Sequence, residues 1–186
     1  KTKFDFIVLS PGINKDVCNL KKFLLINKSK IISDLDIFYF KNIQNLKICI
    51  TGTNGKSTTS KIIHKILKNA GLDARLVGNI GQPILNEKKI TKKTVFIVEI
   101  SSYQIEYSKY FKSDIAAILN IFPDHLDRHK TFSNYRKIKF KLLKNLIPGG
   151  TGIIEKNIFS NKDIKQKRTK TKIIKINSIS KNKIID

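Results

Sequence analysis

The chain has 186 residues, of which 40% are hydrophobic and 27% are charged, a composition typical of a globular protein. No stretch approaches the ~18 consecutive apolar residues of a membrane-spanning helix, so we expect no membrane insertion. The net charge of +23 raises the alternative of a basic nucleic-acid-binding module. The positive residues are nearly all Lys and are spread along the chain, whereas nucleic-acid recognition favours Arg, so we expect no nucleic-acid partner.

The cysteines Cys18 and Cys49 lack the spacing of metal ligands. They are typical of reduced thiols and favour a cytoplasmic protein. The chain contains no methionine, and its last residues form no closing element, so we expect it to be part of a longer protein.

Short apolar runs alternate with helix-like segments along the chain. A buried strand is predicted over 4–9, a turn over 10–12, and a helix over 34–42 with Asp34 as its cap. Further strands are predicted over 46–51, 74–77, 94–100, 114–120, 151–155 and 171–176. This alternation predicts an α/β fold with a mostly parallel sheet and crossover helices.

Two longer helices are predicted between these strands. The first covers 57–70, has Gly71 as its stop, and carries four apolar residues on one face, namely Ile62, Ile63, Ile66 and Leu67. The second covers 132–146 and is ended by Pro148-Gly149-Gly150. Residues 157–171 are polar and rich in Lys, and are predicted to form a loop or a short helix.

A glycine-rich segment lies between the predicted strand 46–51 and the helix that follows. Its glycines allow backbone N–H groups to converge on phosphate oxygens, and the helix N-terminus adds its dipole. Lys56 can reach the β- and γ-phosphates of a nucleotide, and the Ser57 hydroxyl can bind Mg²⁺. Ile50 stands where the general P-loop motif has its first Gly, so the segment matches a shortened variant. The predicted nucleotide-binding residues are Gly52, Thr53, Asn54, Gly55, Lys56, Ser57 and Thr58.

Three further polar stretches, 78–83, 99–106 and 120–129, follow predicted strands. Open α/β sheets bind their ligands at the carboxyl ends of strands, so these stretches are candidates for the same site. Glu99 offers a carboxylate oxygen, the ligand type that Mg²⁺ prefers, and His125 within Asp-His-Leu-Asp is a second candidate metal ligand. His64 and His129 are interpreted as surface residues.

Together, the glycine loop and these stretches resemble the Mur ligase family, and in particular its D-glutamate-adding branch, up to about residue 156. The alanine-adding members typically have His in place of Asn54, and the members that add diaminopimelate or lysine lack Gln104 after the paired serines. Folylpolyglutamate synthetase relatives usually have Gly after the loop lysine. Another Mur ligase or a folylpolyglutamate synthetase-like enzyme remains an alternative.

The resemblance implies a domain organisation. Residues 1–41 would be the C-terminal end of a Rossmann-like, UDP-binding domain, and 42–186 would be an incomplete central ATP-binding domain with its P-loop. The amino-acid-binding C-terminal domain would lie outside the chain. We therefore expect residues 1–40 to pack incompletely, the chain alone to be inactive, and the enzyme to be a monomer.

The resemblance also implies an activity: ATP-dependent addition of D-glutamate to UDP-N-acetylmuramoyl-L-alanine through an acyl phosphate, in peptidoglycan precursor synthesis. The implied catalytic residues are Lys56, His125 and Lys139. The implied ligands of two Mg²⁺ ions are Ser57, Glu99, His125 and Lys139, the last as a carbamate formed with CO₂. The implied substrate contacts are Asn79, Ser101 and Gln104. We expect the four metal ligands to converge on one cleft.

Overall fold

The structure, a computed structural model, describes residues 4–159 and 171–177. Two short parallel strands, β1 (Ile7–Val8) and β2 (Ile31–Ile32), form a small sheet. The main sheet contains β3 (Leu46–Thr51), β4 (Ala74–Gly78), β5 (Val95–Glu99), β6 (Ser113–Ile118), β7 (Leu146–Glu155) and β8 (Lys172–Ile176). All its described pairings are parallel, in the order β4-β5-β3-β6-β7-β8. The predicted α/β class is confirmed, and the glycine loop follows a central strand.

The described helices are α1 (Lys21–Ile26), α2 (Asp34–Lys41), α3 (Lys56–Asn69), α4 (Ser102–Tyr107), α5 (Leu126–His129) and α6 (Phe132–Lys144). Short 3₁₀ turns cover Lys28–Lys30 and Lys156–Ile158. The sequence predicted α2, α3 and α6, whereas α1, α4 and α5 are too short to give a clear helical period. None of the helices described is long and apolar enough to span a membrane.

The pleat of the main sheet directs its side chains into two apolar layers. One layer, which includes Cys49, Phe96 and Val98, packs against α2, α4 and α6. The other, which includes Ile50 and Ile97, packs against α3. Strand β5 is buried along its whole length, which explains why it is a continuous apolar run up to Glu99. Helices on both faces of the sheet leave its strand ends free to form a site.

The apolar face predicted for α3 is only half correct. Ile63 and Leu67 pack against the sheet, whereas Ile62 and Ile66 are exposed. The sheet contacts only a narrow stripe of this helix, one residue per turn, so two of the four isoleucine and leucine positions lie outside it. The predicted stop is correct, because Gly71 has a φ of +78°, in the left-handed region that glycine adopts easily.

Several other boundaries differ from the prediction. The first strand is limited to Ile7–Val8, and the cap of α2 is Ser33, not Asp34, because Ser33 and Asp36 form a capping box. Strand β7 already begins at Leu146, which pairs with Ser113. The next paired residue is Thr151, opposite Ile115, so the Pro-Gly-Gly segment bulges out within a strand instead of forming a separate turn. Most of the predicted loop over 157–171 lies outside the described residues.

Residues 1–40 were expected to pack incompletely, and the structure agrees for residues 4–32 but not for α2. The small core of residues 4–32 consists of Leu9, Leu24 and Ile31 with Tyr107 of α4. Many of their apolar side chains are exposed, namely Phe4, Phe6, Val8, Ile13, Val17, Leu20, Phe23, Leu25 and Ile26. Helix α2 does not share this loose packing, because Leu35 and Phe38 are fully buried in the main core. The predicted division of the chain near residue 41 stays a prediction.

A buried carboxylate, that of Asp36, fixes α2 to the segment that follows α4. Its oxygens accept hydrogen bonds from the backbone N–H of Lys109, Tyr110 and Phe111 at 2.7–3.0 Å, and from the Ser108 hydroxyl at 3.1 Å. A carboxylate that accepts several N–H bonds can remain buried without a cationic partner. Asp36 therefore holds together two segments more than 70 residues apart in sequence.

Asp36→Asn should lower the free energy of unfolding by about 3 kcal/mol, because the amide replaces one acceptor oxygen by a donor that faces backbone N–H groups. Urea unfolding of the chain, with the flanking sequence of its reading frame, would measure the change. Asp5→Asn is the matched control, since Asp5 is exposed. Equal stability of the two variants would contradict the role given to Asp36.

Candidate functional site

The glycine loop joins the carboxyl end of β3 to the N-terminus of α3. Gly55 caps the helix with a φ of +79°, which favours glycine. At Gly52, a Cβ would lie 3.2 Å from Cβ of Leu119, so the loop packs closely against the segment after β6. Lys56 begins the helix, and its Nζ donates to the Thr53 carbonyl at 2.9 Å. Ser57 is partly buried and Thr58 is exposed in the same first turn. The loop therefore leads directly into a helix N-terminus, a position that favours anions.

Asn120, the first residue of the polar stretch 120–129, supports this loop from the neighbouring strand end. Its Oδ1 accepts from the N–H groups of Thr53 and Asn54, at 3.1 and 2.9 Å. Its Nδ2 donates to the Asn54 carbonyl at 3.0 Å. One side chain therefore bonds to both the N–H and the carbonyl of Asn54 and fixes the loop. The sequence signal was the position of an amide residue directly after an apolar strand.

Glu99 lies at the carboxyl end of β5, paired in register with Ile50 of β3. Its side chain is 1% exposed. Oε1 accepts from Nδ2 of Asn79 at 2.9 Å, whereas Oε2 has no hydrogen-bond partner among the described residues. A buried carboxylate oxygen without a partner is costly, and a cation would relieve that cost. Asn79 thus contacts Glu99 and orients its carboxylate.

Lys139 projects from α6 towards the glycine loop. Its Nζ donates to the Gly52 carbonyl at 2.9 Å and lies 3.4 Å from Oγ1 of Thr51, with the residue only 2% exposed. Burial, together with the nearby Lys56, lowers the pKa of Lys139 to about 7, while Asp124 opposes this shift. A substantial fraction of this amine is therefore neutral near physiological pH.

The neighbouring lysines of α6 are placed differently. Lys137 is exposed, and Nζ of Lys141 donates to carbonyls at the end of α4, including that of Ile105 at 3.1 Å. Of these three lysines, Lys139 is the one that contacts the glycine loop.

His125 and His129, which follow β6, belong to one cluster of aromatic rings. His125 has a φ of +52°, is exposed, and lies 3.3 Å from Oδ2 of Asp124, with its ring 4.9 Å from that of Tyr103. His129 was expected at the surface, and this prediction was wrong. It is buried, its Nε2 lies 2.9 Å from Oγ of Ser102, and its ring stacks on Tyr103. Burial lowers the pKa of His129, which favours the neutral imidazole.

Tyr135 connects this cluster to the glycine loop. Its ring lies 5.4 Å from that of His129 and 6.4 Å from that of His125. Its hydroxyl lies 3.2 Å from Oγ1 of Thr53, and Nζ of Lys139 lies 4.7 Å from its ring centre. The other predicted surface residue, His64, is partly buried on α3, with Nε2 3.2 Å from the Ala74 carbonyl.

Ser101 and Gln104, the predicted substrate contacts, bond to each other. They form a capping box at the start of α4, in which Ser101 Oγ accepts from Gln104 N–H and Gln104 Oε1 accepts from Ser101 N–H. Ser101 remains partly exposed, whereas Gln104 is buried. Their hydrogen bonds therefore explain the start of α4, and their contact with a substrate stays a prediction.

Of the predicted metal ligands, Ser57, Glu99 and His125 lie at or after the carboxyl ends of β3, β5 and β6, and Lys139 reaches the glycine loop from α6. Within 4–159 and 171–177, no group of three or more His, Cys, Asp and Glu side chains is arranged to hold a metal ion. A metal site here would therefore need other oxygen ligands besides Glu99, such as the Ser57 hydroxyl, a modified lysine or phosphate oxygens. The unpartnered oxygen of Glu99 fits such a site. The convergence of all four ligands on one ion stays a prediction.

Residues 50–185 match the model of the Mur ligase middle domain. The chain belongs to the Mur ligase family. The matched region begins in β3 and includes the glycine loop, Glu99, His125 and Lys139, so the site described above lies entirely within the family domain.

Curated relatives of this Mur ligase chain are named UDP-N-acetylmuramoylalanine–D-glutamate ligase. The protein from Alkaliphilus oremlandii is 40% identical over 142 residues, 76% of this chain and 31% of the relative. The protein from Rickettsia bellii is 41% identical, over 81% of this chain and 33% of the relative. The protein from Francisella tularensis subsp. novicida is 44% identical, over 76% of this chain and 34% of the relative. The chain spans about a third of the length of these relatives.

Solved structures of Mur ligases share the fold. The UDP-N-acetylmuramate:L-alanyl-gamma-D-glutamyl-meso-diaminopimelate ligase from Neisseria meningitides has a TM-score of 0.62 at 18% identity, covering 92% of this chain and 58% of that one. MurF from Thermotoga maritima, solved in complex with ADP, has a TM-score of 0.55 at 18% identity, covering 83% and 44%. At these identities, the likeness shows the Mur ligase fold alone.

The low pKa of Lys139 predicts a pH dependence of stability. Between pH of about 7 and the ordinary value of 10.5, the unfolded chain binds a proton at this amine that the folded chain does not. The free energy of unfolding should therefore rise with pH in this window, by up to about 1.4 kcal/mol per pH unit from this group. Lys139→Met should remove this rise, as measured by urea unfolding in CO₂-free buffers.

The control for that measurement is Lys144→Met, which removes one exposed positive charge from the same helix. A pH dependence that is the same in the wild type and both variants would show that Lys139 keeps an ordinary affinity for its proton.

Proposed function

We propose that this Mur ligase chain is the central part of an ATP-dependent ligase that adds D-glutamate to UDP-N-acetylmuramoyl-L-alanine in peptidoglycan precursor synthesis. The observation that carries the proposal is the buried, unpartnered oxygen of Glu99 at the strand end beside a glycine loop. The identity of about 40% with D-glutamate ligases supports the choice of this reaction over those of other Mur ligases.

The nucleotide of the proposed reaction is ATP. Its phosphates would lie at the N-terminus of α3, where the helix dipole favours negative charge, because the N–H groups of Thr53 and Asn54 already donate to Asn120. Lys56 would leave its bond to the Thr53 carbonyl and contact the transferring phosphoryl group. The ADP complex of the Thermotoga maritima relative agrees with this choice of nucleotide.

The ligands of Mg²⁺ in this proposal are Ser57, Glu99, His125 and Lys139 as a carbamate. When bound, two Mg²⁺ ions would neutralise the charge on the phosphates. A neutral lysine amine can attack CO₂, which forms an N–C bond and releases one proton, and the product carries anionic oxygens. The low pKa of Lys139 supplies that neutral amine. Because Oε2 of Glu99 forms no hydrogen bond among the described residues, it could bind a cation without breaking one.

In the proposed reaction, the L-alanyl carboxylate attacks the γ-phosphorus of ATP and releases ADP. The amine of D-glutamate then attacks the acyl phosphate carbon, phosphate leaves, and the amine loses a proton. Asn79, Ser101 and Gln104 are the proposed contacts of the muramoyl substrate. The partly exposed Ser101 hydroxyl is available for this, whereas Gln104 would act chiefly by fixing Ser101.

A substrate panel tests the proposal. The product of the whole reading frame would be incubated with ATP, Mg²⁺ and pairs of acceptor and amino acid, and ADP release and product mass would be measured. We expect ligation with UDP-N-acetylmuramoyl-L-alanine and D-glutamate. We expect none with UDP-N-acetylmuramate and L-alanine, and none from the 186-residue chain alone. Preferential use of another pair would refute the D-glutamate assignment.

Asn120→Ala should weaken ATP binding about tenfold, a loss of about 1.4 kcal/mol, because the N–H and the carbonyl of Asn54 both lose their hydrogen bonds to the Asn120 side chain. Titration with a fluorescent ATP analogue would measure the affinity. Asn69→Ala, at the exposed far end of α3, is the matched control. Unchanged affinity in Asn120→Ala would exclude the proposed support of the loop.

Lys139→Ala should abolish ligation, and short-chain carboxylates such as acetate should partly restore it, because their oxygens can replace those of the carbamate. Lys56→Ala should also abolish ligation, but acetate should not restore it, since an anion cannot replace a cation that contacts phosphates. Initial rates of ADP release with and without acetate would separate the two. Near-normal activity of Lys139→Ala in CO₂-depleted buffer would exclude the carbamate.

A further inference from the structure

Arg128 connects the N-terminal turn of the chain to the central domain. Its Nη2 donates to the Ile13 carbonyl at 2.9 Å, and its Nε donates to Oε2 of Glu106 at 3.0 Å. The guanidinium carbon lies 5.4 Å from the ring centre of Tyr103 and 5.3 Å from that of Tyr107. The Arg128 side chain is 7% exposed, whereas its bond to the Ile13 carbonyl lies at the surface. A guanidinium that contacts two rings and donates to acceptors on both its Nε and its Nη2 is restricted to one orientation.

Tyr107 reinforces the same connection. Its buried hydroxyl donates to the Ile13 carbonyl at 2.9 Å, and it accepts from the backbone N–H of Lys15 at 3.2 Å and from Nη2 of Arg128. The turn around residues 10–15 is therefore held by the backbone groups of Ile13 and Lys15. These bonds do not depend on the side chains of the turn, and they span more than 90 residues of sequence.

The connection lies beside the predicted substrate contacts. Arg128 is on α5, three residues after His125. Glu106 and Tyr107 are on α4, whose N-terminus is capped by Ser101 and Gln104. A cleft of about 260 Å³ lies between the turn and the two helices, lined by Pro11, Gly12, Asn14, Tyr103, Asp127 and Arg128. Among the described residues, none of the hydrogen bonds of the glycine loop involves Arg128.

We propose that Arg128 is a positioning residue: it fixes the 10–15 turn against α4 and α5 and thereby sets the affinity for the UDP-linked substrate, but not for ATP. This inference rests on the proposed function, in which the N-terminal segment belongs to the UDP-binding domain. A displaced turn would change the distance between the UDP group and the reacting carboxylate, whereas the nucleotide loop would keep its support from Asn120.

Two conservative variants break the connection without leaving a cavity. Arg128→Lys retains the positive charge, but a single ammonium cannot bond to Glu106 and Ile13 with the planar geometry of a guanidinium. Tyr107→Phe removes only the hydroxyl. Arg75→Lys is the matched control, because Arg75 also bonds to more than one partner, here Asp73 and Glu87, but lies on β4 away from the turn.

Hydrogen exchange on the product of the whole reading frame gives a readout that needs no activity. In Arg128→Lys and Tyr107→Phe, the amides of 13–15 should exchange about tenfold faster than in the wild type, because their segment opens more often. The amides of 52–60 should exchange at the wild-type rate, and Arg75→Lys should change neither segment. Unchanged exchange at 13–15 in both variants would overturn the proposal.

Steady-state kinetics of the same proteins give the second readout. Both variants should raise KM for UDP-N-acetylmuramoyl-L-alanine about tenfold and leave KM for ATP within about twofold of the wild type. The double variant should be no worse than the poorer single variant, because both changes break one connection. Equal increases in the two KM values would indicate a general structural role and overturn the proposal. If the wild type shows no ligation, the proposed function fails, and the exchange result still decides whether Arg128 holds the turn.

Discussion

The parallel register of β5, β3 and β6 is the constraint on which the site depends. Ile50 pairs with Glu99, and Thr51 pairs with Ile118, so three strands end at the same level of the sheet. The Thr51 hydroxyl donates to the Ile100 carbonyl at 2.8 Å and thereby fixes adjacent strand ends to each other. Segments from different parts of the chain consequently begin at one edge, and each needs only a few residues to reach the glycine loop.

Burial then determines the protonation and the hydrogen bonding of the two charged groups beside the glycine loop, Lys139 and Glu99. The ammonium of Lys139 and the carboxylate of Glu99 are both removed from water, where an isolated charge is costly. Lys139 responds with a lowered pKa, and Glu99 retains an oxygen without a partner. Under the proposed function, a divalent cation would supply the partner that Oε2 of Glu99 lacks.

The sequence predicted the features that depend on local pattern, namely the α/β class, the glycine loop and the longer helices. It did not predict α4 or α5, which contain too few residues for a helical period. The burial of His129 and the support given by Asn120 depend on residues 27 and 66 positions away, and no local pattern contains that information. The ligand set around Mg²⁺ stays a prediction, because it came from a family resemblance and includes a chemical modification of Lys139.

The strand order has a consequence for synthesis on the ribosome. Strand β3 is the first strand of the main sheet to be synthesised, but it lies between β5 and β6. The later of these two partners, β6, ends 67 residues after β3 (118 − 51). At about 5 to 20 residues per second, roughly 3 to 13 seconds pass before both partners of β3 have been made. During this time an apolar strand has unpaired backbone groups on at least one side and can pair with other chains. The nascent chain is therefore exposed to aggregation, and this exposure depends on the rate of translation between β3 and β6.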